Sequence, residues 1–271
     1  MATRSERYGK ATLRWQASQD GGFAGTVIVD GQRGEVLTDE DEVRLVARLR
    51  NEAGKLDPNY LGMDGAIARF LEFMPGGLRG DRSVSQEREY KLDASRALNS
   101  ILALEDALEA TEMDARAVRR APVWLNILSP YESMHIKQVL ENPEGPAFLR
   151  SAARFASADY AAGAQGMENA LRKYGRQSWP KATYLGYLWR PADNMFCKPA
   201  VTQDFAQRIG HEFHHVYSPE ITERVYRSLM DLADQTLAAT RTLGAEDYID
   251  VQSFIYVVGG YTEADRPAEQ E

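Results

Sequence analysis

Three of the chain's four histidines fall within five residues, at His211, His214 and His215. His211, Glu212 and His215 match H-E-x-x-H, in which two histidines one helical turn apart bind zinc and the glutamate acts on a bound water. That chemistry would make the chain a metal-dependent hydrolase with His211 and His215 as zinc ligands and Glu212 as catalytic residue. It needs a continuous helix and a third ligand. The spacing predicts a helix over residues 202–216, with Phe205, Ile209, Phe213 and Val216 on its apolar side. At ~100° per residue, His211 and His215 point away from that stripe. Gly210 weakens the helix just before the motif, and Glu220, Glu223, Asp231 and Glu246 offer a third ligand by position only. The expectation is therefore a surface histidine cluster with no cofactor, with the zinc site as the alternative.

A second chemistry lies in residues 172–198. Arg172, Lys173, Arg176, Lys181, Arg190 and Lys198 face a single acid, Asp193, and are interleaved with Tyr174, Trp179, Tyr184, Tyr187 and Trp189. Cations for phosphates and flat rings for bases are what single-stranded nucleic acid requires. The candidate binding residues are Arg172, Lys173, Tyr174, Arg176, Trp179, Lys181, Arg190 and Lys198. The competing reading is a loop-rich layer whose rings fill a core while its charges are solvated.

Acidic candidates are scattered. Glu87 and Lys91, four apart, make a favourable surface pair on a predicted helix, and Asp247, Asp250, Gln252 and Ser253 form a polar cluster ahead of an apolar run. A nuclease would need Glu87, Asp247, Asp250 and Lys198 to converge on a metal, whereas helix-start acids account for most of them. Cys197 lies beside Lys198, which would lower its pKa, but no base is assigned to it.

Trp189-Arg190-Pro191, Lys198-Pro199-Ala200-Val201-Thr202 and Asp247-Tyr248-Ile249-Asp250-Val251-Gln252-Ser253-Phe254-Ile255 resemble the C-terminal part of a group of bacterial proteins without an established activity. Glu87-Arg88-Glu89-Tyr90-Lys91 resembles a further segment of that group. The resemblance covers about a third of the chain and implies a defence or DNA-processing setting. It carries no catalytic residue, and H-E-x-x-H is not part of the pattern.

These residues must be positioned by recognisable elements. Alternation over residues 11–17, the β-rich stretch 23–29, a turn at Asp30-Gly31 and the stretch 35–38 predict a small antiparallel meander. Thr38-Asp39-Glu40-Asp41 predicts a helix start, with the helix running to about Asn51. Further helices are expected over 63–73, 85–112, 131–141 and 146–174. Residues 123–128 fit either a strand or a buried turn, and 175–199 read as irregular. Ser218-Pro219-Glu220 predicts the start of a helix ending at Gly244, whose stripe of Val225, Leu229 and Leu232 should share one core with Phe205, Ile209 and Phe213. Residues 246–258 are helical or extended, and 262–271 a frayed acidic tail.

The fold class is thus α+β, mainly helical: a small N-terminal β-meander packed on a large helical body. The expected divisions are 1–55, 56–261 and 262–271. A hydrophobic fraction of 44% with 27% charged residues is ordinary for a globular chain. A net charge of −8 excludes a surface that coats nucleic acid on every side. One cysteine permits no intramolecular disulfide, and neither a signal peptide nor a run of about 18 apolar residues is present, which predicts the cytoplasm and no membrane. The leading expectation is a non-enzymatic binding or adaptor protein for nucleic acid or a partner protein.

Overall fold

The computed structural model describes residues 3–8, 11–18 and 21–267. Four strands come first: β1 (Arg4–Tyr8), β2 (Ala11–Ser18), β3 (Gly22–Val29) and β4 (Gln32–Asp39). Helices follow as α1 (Glu42–Gly54), α2 (Gly62–Phe73), α3 (Asp81–Ser83), a π-helical turn (Val84–Arg88), α4 (Glu89–Ile101), α5 (Leu104–Ala107) and α6 (Glu112–Arg120). The remainder are α7 (Pro130–Glu141), α8 (Gly145–Ala156), α9 (Tyr160–Leu171), α10 (Trp179–Trp189), α11 (Pro199–Ile209), α12 (Phe213–Val216), α13 (Glu223–Thr240) and α14 (Tyr248–Gly260). The class is α+β with helices dominant. Among the described residues no helix is long and apolar enough to cross a membrane.

The chain divides into two compact units. The first comprises Met1–Ala66 and Gln203–Val216, so it runs past residue 55 and takes in a distant segment. Its sheet is an antiparallel meander in the order β1-β2-β3-β4, one strand more than the alternation predicts. Asp30 and Gly31 both adopt positive φ, 49° and 80°, the backbone that a two-residue hairpin between β3 and β4 demands. Leu13, Trp15 and Val27 from one sheet face pack on Leu45, Leu49 and Ala53 of α1. A Cβ on Gly25 would lie 2.8 Å from Trp15 Cβ and 3.0 Å from Arg14 O of β2, so glycine suits this close approach of β3 to its neighbour. Asp41 caps α1 by accepting from Val43 N (2.7 Å) and Arg44 N (3.1 Å); Thr38 and Asp39 belong to β4 instead.

The second unit comprises Ile67–Thr202 and Tyr217–Glu271. The helix expected over 85–112 is interrupted by the π turn at its start and by an extended Leu102, whose carbonyl accepts from Trp189 Nε1 at 2.9 Å. Residues 146–174 form two helices, parted where Ala158 takes φ 69°. Residues 123–128 form turns. The stretch 175–199, which reads as irregular, contains α10, a helix buried over all eleven residues. Its apolar periodicity is hidden because it is apolar on every side, the pattern of a helix packed all round. Helix α13 starts from Thr222 and not from Ser218, the Thr222 hydroxyl accepting from Val225 N at 3.4 Å.

Phe205 and Phe213 are buried in the first unit and Val225, Leu229 and Leu232 in the second, while Ile209, expected in the core, is only half-buried. The segment 262–267 is ordered, not frayed: Asp265 closes a capping box with Thr262, and Arg266 pairs with Glu72 at 2.8 Å. Residues 268–271 lie outside the described part.

Candidate ligand-binding cleft

Residues 87–91 and 247–253 meet in the second unit. Glu87 and Arg88 lie on the π turn, Lys91 one turn into α4, and Asp247, Asp250, Gln252 and Ser253 at the start of α14. Lys91 is fully buried, and its Nζ donates to Glu87 Oε2 and to Ser253 Oγ, each at 2.9 Å. Glu87 Oε1 accepts from the Tyr261 hydroxyl at 3.0 Å. The surface pair expected at Glu87 and Lys91 is therefore an interior one. Burial pulls the Lys91 ammonium below the ordinary lysine range, against the opposing pull of Glu87. Burial, followed by the neighbouring Glu87 carboxylate, raises the Tyr261 phenol.

Arg88 points the other way. Its two terminal nitrogens donate to the two oxygens of Asp247, both at 2.8 Å, and Nη1 lies 2.8 Å from Asp250 Oδ1. Arg79 pairs with the second Asp250 oxygen, which also accepts from Glu246 N at 2.8 Å. Burial works against the Arg88 charge, but Asp247 and Asp250 more than offset it and hold the guanidinium protonated. Burial also lifts the Asp250 carboxyl above the usual range despite these donors. Asp247 additionally caps α14, accepting from Ile249 N at 2.9 Å. The D-x-x-D segment thus clamps arginines and starts a helix.

Beside the π turn lies a cleft of about 700 Å³. Glu87 and Gln252 contribute to its floor, and Tyr90, Trp124, Phe196 and Tyr256 are among the rings lining it. Trp124 is held by its Nε1 bond to Arg119 O (3.0 Å) and stacks on Tyr184 at 6.0 Å between centroids. Lys198 also lines the cleft, with Nζ donating to Ile127 O at 2.6 Å. Gln252 is only 5% exposed, and its Oε1 is sealed from water without a hydrogen-bond donor among the described residues.

Glu87 and Lys198 share this cleft, whereas Asp247 and Asp250 are turned to arginines. Among the described residues no group of three or more His, Cys, Asp or Glu side chains is arranged to hold a metal. At H-E-x-x-H, Gly210 adopts φ 75° and ends α11, so His211 and Glu212 precede the single turn α12. The two histidines are consequently not one turn apart on a continuous helix. His211 is buried, its Nδ1 accepting from Phe213 N at 3.1 Å, which contradicts an exposed cluster at that position. His215 packs edge-on against Tyr8 at 5.4 Å, and burial, then His214 and Arg50, lowers its pKa to about 4.

The basic segment does not form one groove. Arg172 and Arg176 are exposed and line a separate hollow with Glu168, Glu220 and Glu223. Lys173 pairs with Glu144 at 2.6 Å, and the Tyr174 hydroxyl donates to the same carboxylate at 2.9 Å. Arg190 pairs with Glu105. Trp179 is buried, with Nε1 donating to Ser218 O at 2.7 Å, and buried Lys181 donates to Arg176 O. As stacking and phosphate contacts, Trp179 and Lys181 are corrected to core positions: α10 leaves them no solvent face.

Sequence reasoning places Gln252 in a polar cluster without giving it a role, and it misses the interior role of Lys91. A signal was present. Residues 248–258 are apolar nearly all round, so a polar side chain among them must find a partner or serve a site. Comparison with protein-family models, with curated proteins and with solved structures gave no match.

Proposed function

We propose that this chain is a binding protein and that the cleft beside the Glu87 turn holds its ligand. Gln252 carries the reading. A buried amide oxygen without a donor costs stability, and that cost is tolerated where a ligand supplies the missing group. Three features support it: the volume falls within the range of about 300–1,000 Å³ typical of small-molecule sites, aromatic walls surround a few polar groups, and π turns recur at functional sites. The chain's single cysteine favours a reducing compartment, and we assign the activity to the cytoplasm.

Thermal denaturation in the presence of a metabolite panel of amino acids, sugars, organic cations and nucleosides tests this. A ligand that binds only the folded state raises the melting midpoint by mass action. At least one class should raise it saturably in the wild type and fail to do so in Tyr256→Ala, an exposed wall position whose loss spares the core. A panel without effect, or a shift that is the same in Tyr256→Ala, counts against the cleft.

A further inference from the structure

Building on that reading of the cleft, we infer that its ligand is a nucleobase: a flat, uncharged ring carrying N–H donors along one edge. Tyr90, Trp124 and Tyr256 line the space as partly exposed rings, with buried Phe196 behind them, and π faces favour a flat partner over a puckered one. The floor asks for donors. A carboxylate offers about four acceptor positions, of which Lys91 and Tyr261 fill two at Glu87. Gln252 Oε1 has none filled among the described residues but is sealed from water, so the amide must turn to meet a ligand.

The charge is already matched. The Glu87 carboxylate has its counter-ion in buried Lys91 at 2.9 Å, and the two other charged side chains on the lining, Lys198 and Asp265, are of opposite sign. An uncharged edge with N–H and C=O groups suits this floor, because rotation of the Gln252 amide about its last torsion presents either a donor or an acceptor. Such a ring arrives either as a free nucleoside or as an unpaired base of a single strand. In a duplex it is stacked out of reach. A strand would in addition place phosphates near Lys198, whose ammonium keeps two donors beyond the one given to Ile127 O.

Tryptophan fluorescence reads the site, since Trp15, Trp179 and Trp189 are all buried and Trp124 lines the cleft. The wild type is titrated with adenosine, guanosine, cytidine, uridine, ribose 5-phosphate, and single-stranded and duplex oligonucleotides of the same sequence. At least one nucleoside should quench saturably, ribose 5-phosphate should not, and Gln252→Leu should weaken binding tenfold or more. Trp124→Phe should abolish the quench while calorimetry still records binding. Tighter binding of the single strand than of the nucleoside identifies a polymer as the source; equal or weaker binding identifies the free nucleoside. Saturable binding that Gln252→Leu leaves unchanged overturns the assignment. If no nucleoside or strand binds while another class gives a Tyr256-dependent shift, the nucleobase is wrong and the binding role stands. If no class binds, both fall.

Discussion

Lys91 shows how much one side chain can commit a structure. It is charged in water and fully buried here, so its desolvation is offset chiefly by Glu87, with Ser253 accepting a further hydrogen bond and Asp250 nearby. Removing one partner of such a pair leaves the other uncompensated, at about 3–5 kcal/mol. Lys91→Met should therefore lower stability by that amount in urea denaturation. Adding Glu87→Gln should recover much of the loss, because the stranded charge is gone. A double variant as unstable as the single one would show that packing, and not charge, sets the cost. His215 gives a second expectation at this scale, tied to pH. Its pKa falls from 6.5 to about 4 on folding, so the unfolded chain takes up a proton first as the pH drops. Its contribution is complete above about pH 6.5 and is lost as the pH falls towards about 4. His215→Phe should flatten the acid limb of the stability profile over that window; an unchanged limb would assign the loss to other groups.

Elements decide which of these side chains can meet. The α8–α9 hairpin closes so tightly that a Cβ on Gly163 would stand 2.6 Å from Phe155 N. Backbone cannot yield as a flexible side chain does, so Gly163→Ala should destabilise by about 1–3 kcal/mol, measured by the shift in denaturation midpoint. Helix α13 buries Leu229 completely, and Leu229→Ala should cost about 2–5 kcal/mol through the cavity it leaves. No change in midpoint would mean that the helix does not bear on the core. Helix α11 teaches the opposite lesson. Its apolar stripe continues in register across Gly210, yet the φ of 75° there turns the chain. Periodicity alone reads through a glycine that the backbone uses as a stop.

At the scale of the whole molecule, charge limits what the surface can attract. The formal charge is −8, and the basic run that would locally reverse it is largely spent: Lys173 on Glu144, Arg190 on Glu105, Lys181 inside the fold. Counterion release by several phosphate contacts is the main source of sequence-independent DNA affinity. The wild type should accordingly show no salt-sensitive retention of duplex DNA in fluorescence anisotropy at low ionic strength, and Arg172→Glu with Arg176→Glu should change nothing. Duplex affinity that falls steeply with salt, and is lost in that double variant, would restore the basic segment as a phosphate surface.

The sequence by itself determined the mainly helical α+β class, the antiparallel meander, the Asp30-Gly31 turn and the stripe of α13. Each is written within a few residues, where a period of two or 3.6 and the turn preferences of glycine and aspartate act directly. On α1, by contrast, the expected stripe of Val43, Val46 and Leu49 is displaced to Leu45, Leu49 and Ala53, with Val43 exposed. Only the tertiary structure decided that α10 lies wholly inside, that H-E-x-x-H is split by a turn, and that Glu87, Lys91, Gln252 and Ser253 share one place. Lys91 and Ser253 are 162 positions apart and bond at 2.9 Å. Nothing local to either residue specifies that contact. It follows from the packing of α14 against the π turn, and packing depends on how every apolar face in the unit is buried at once.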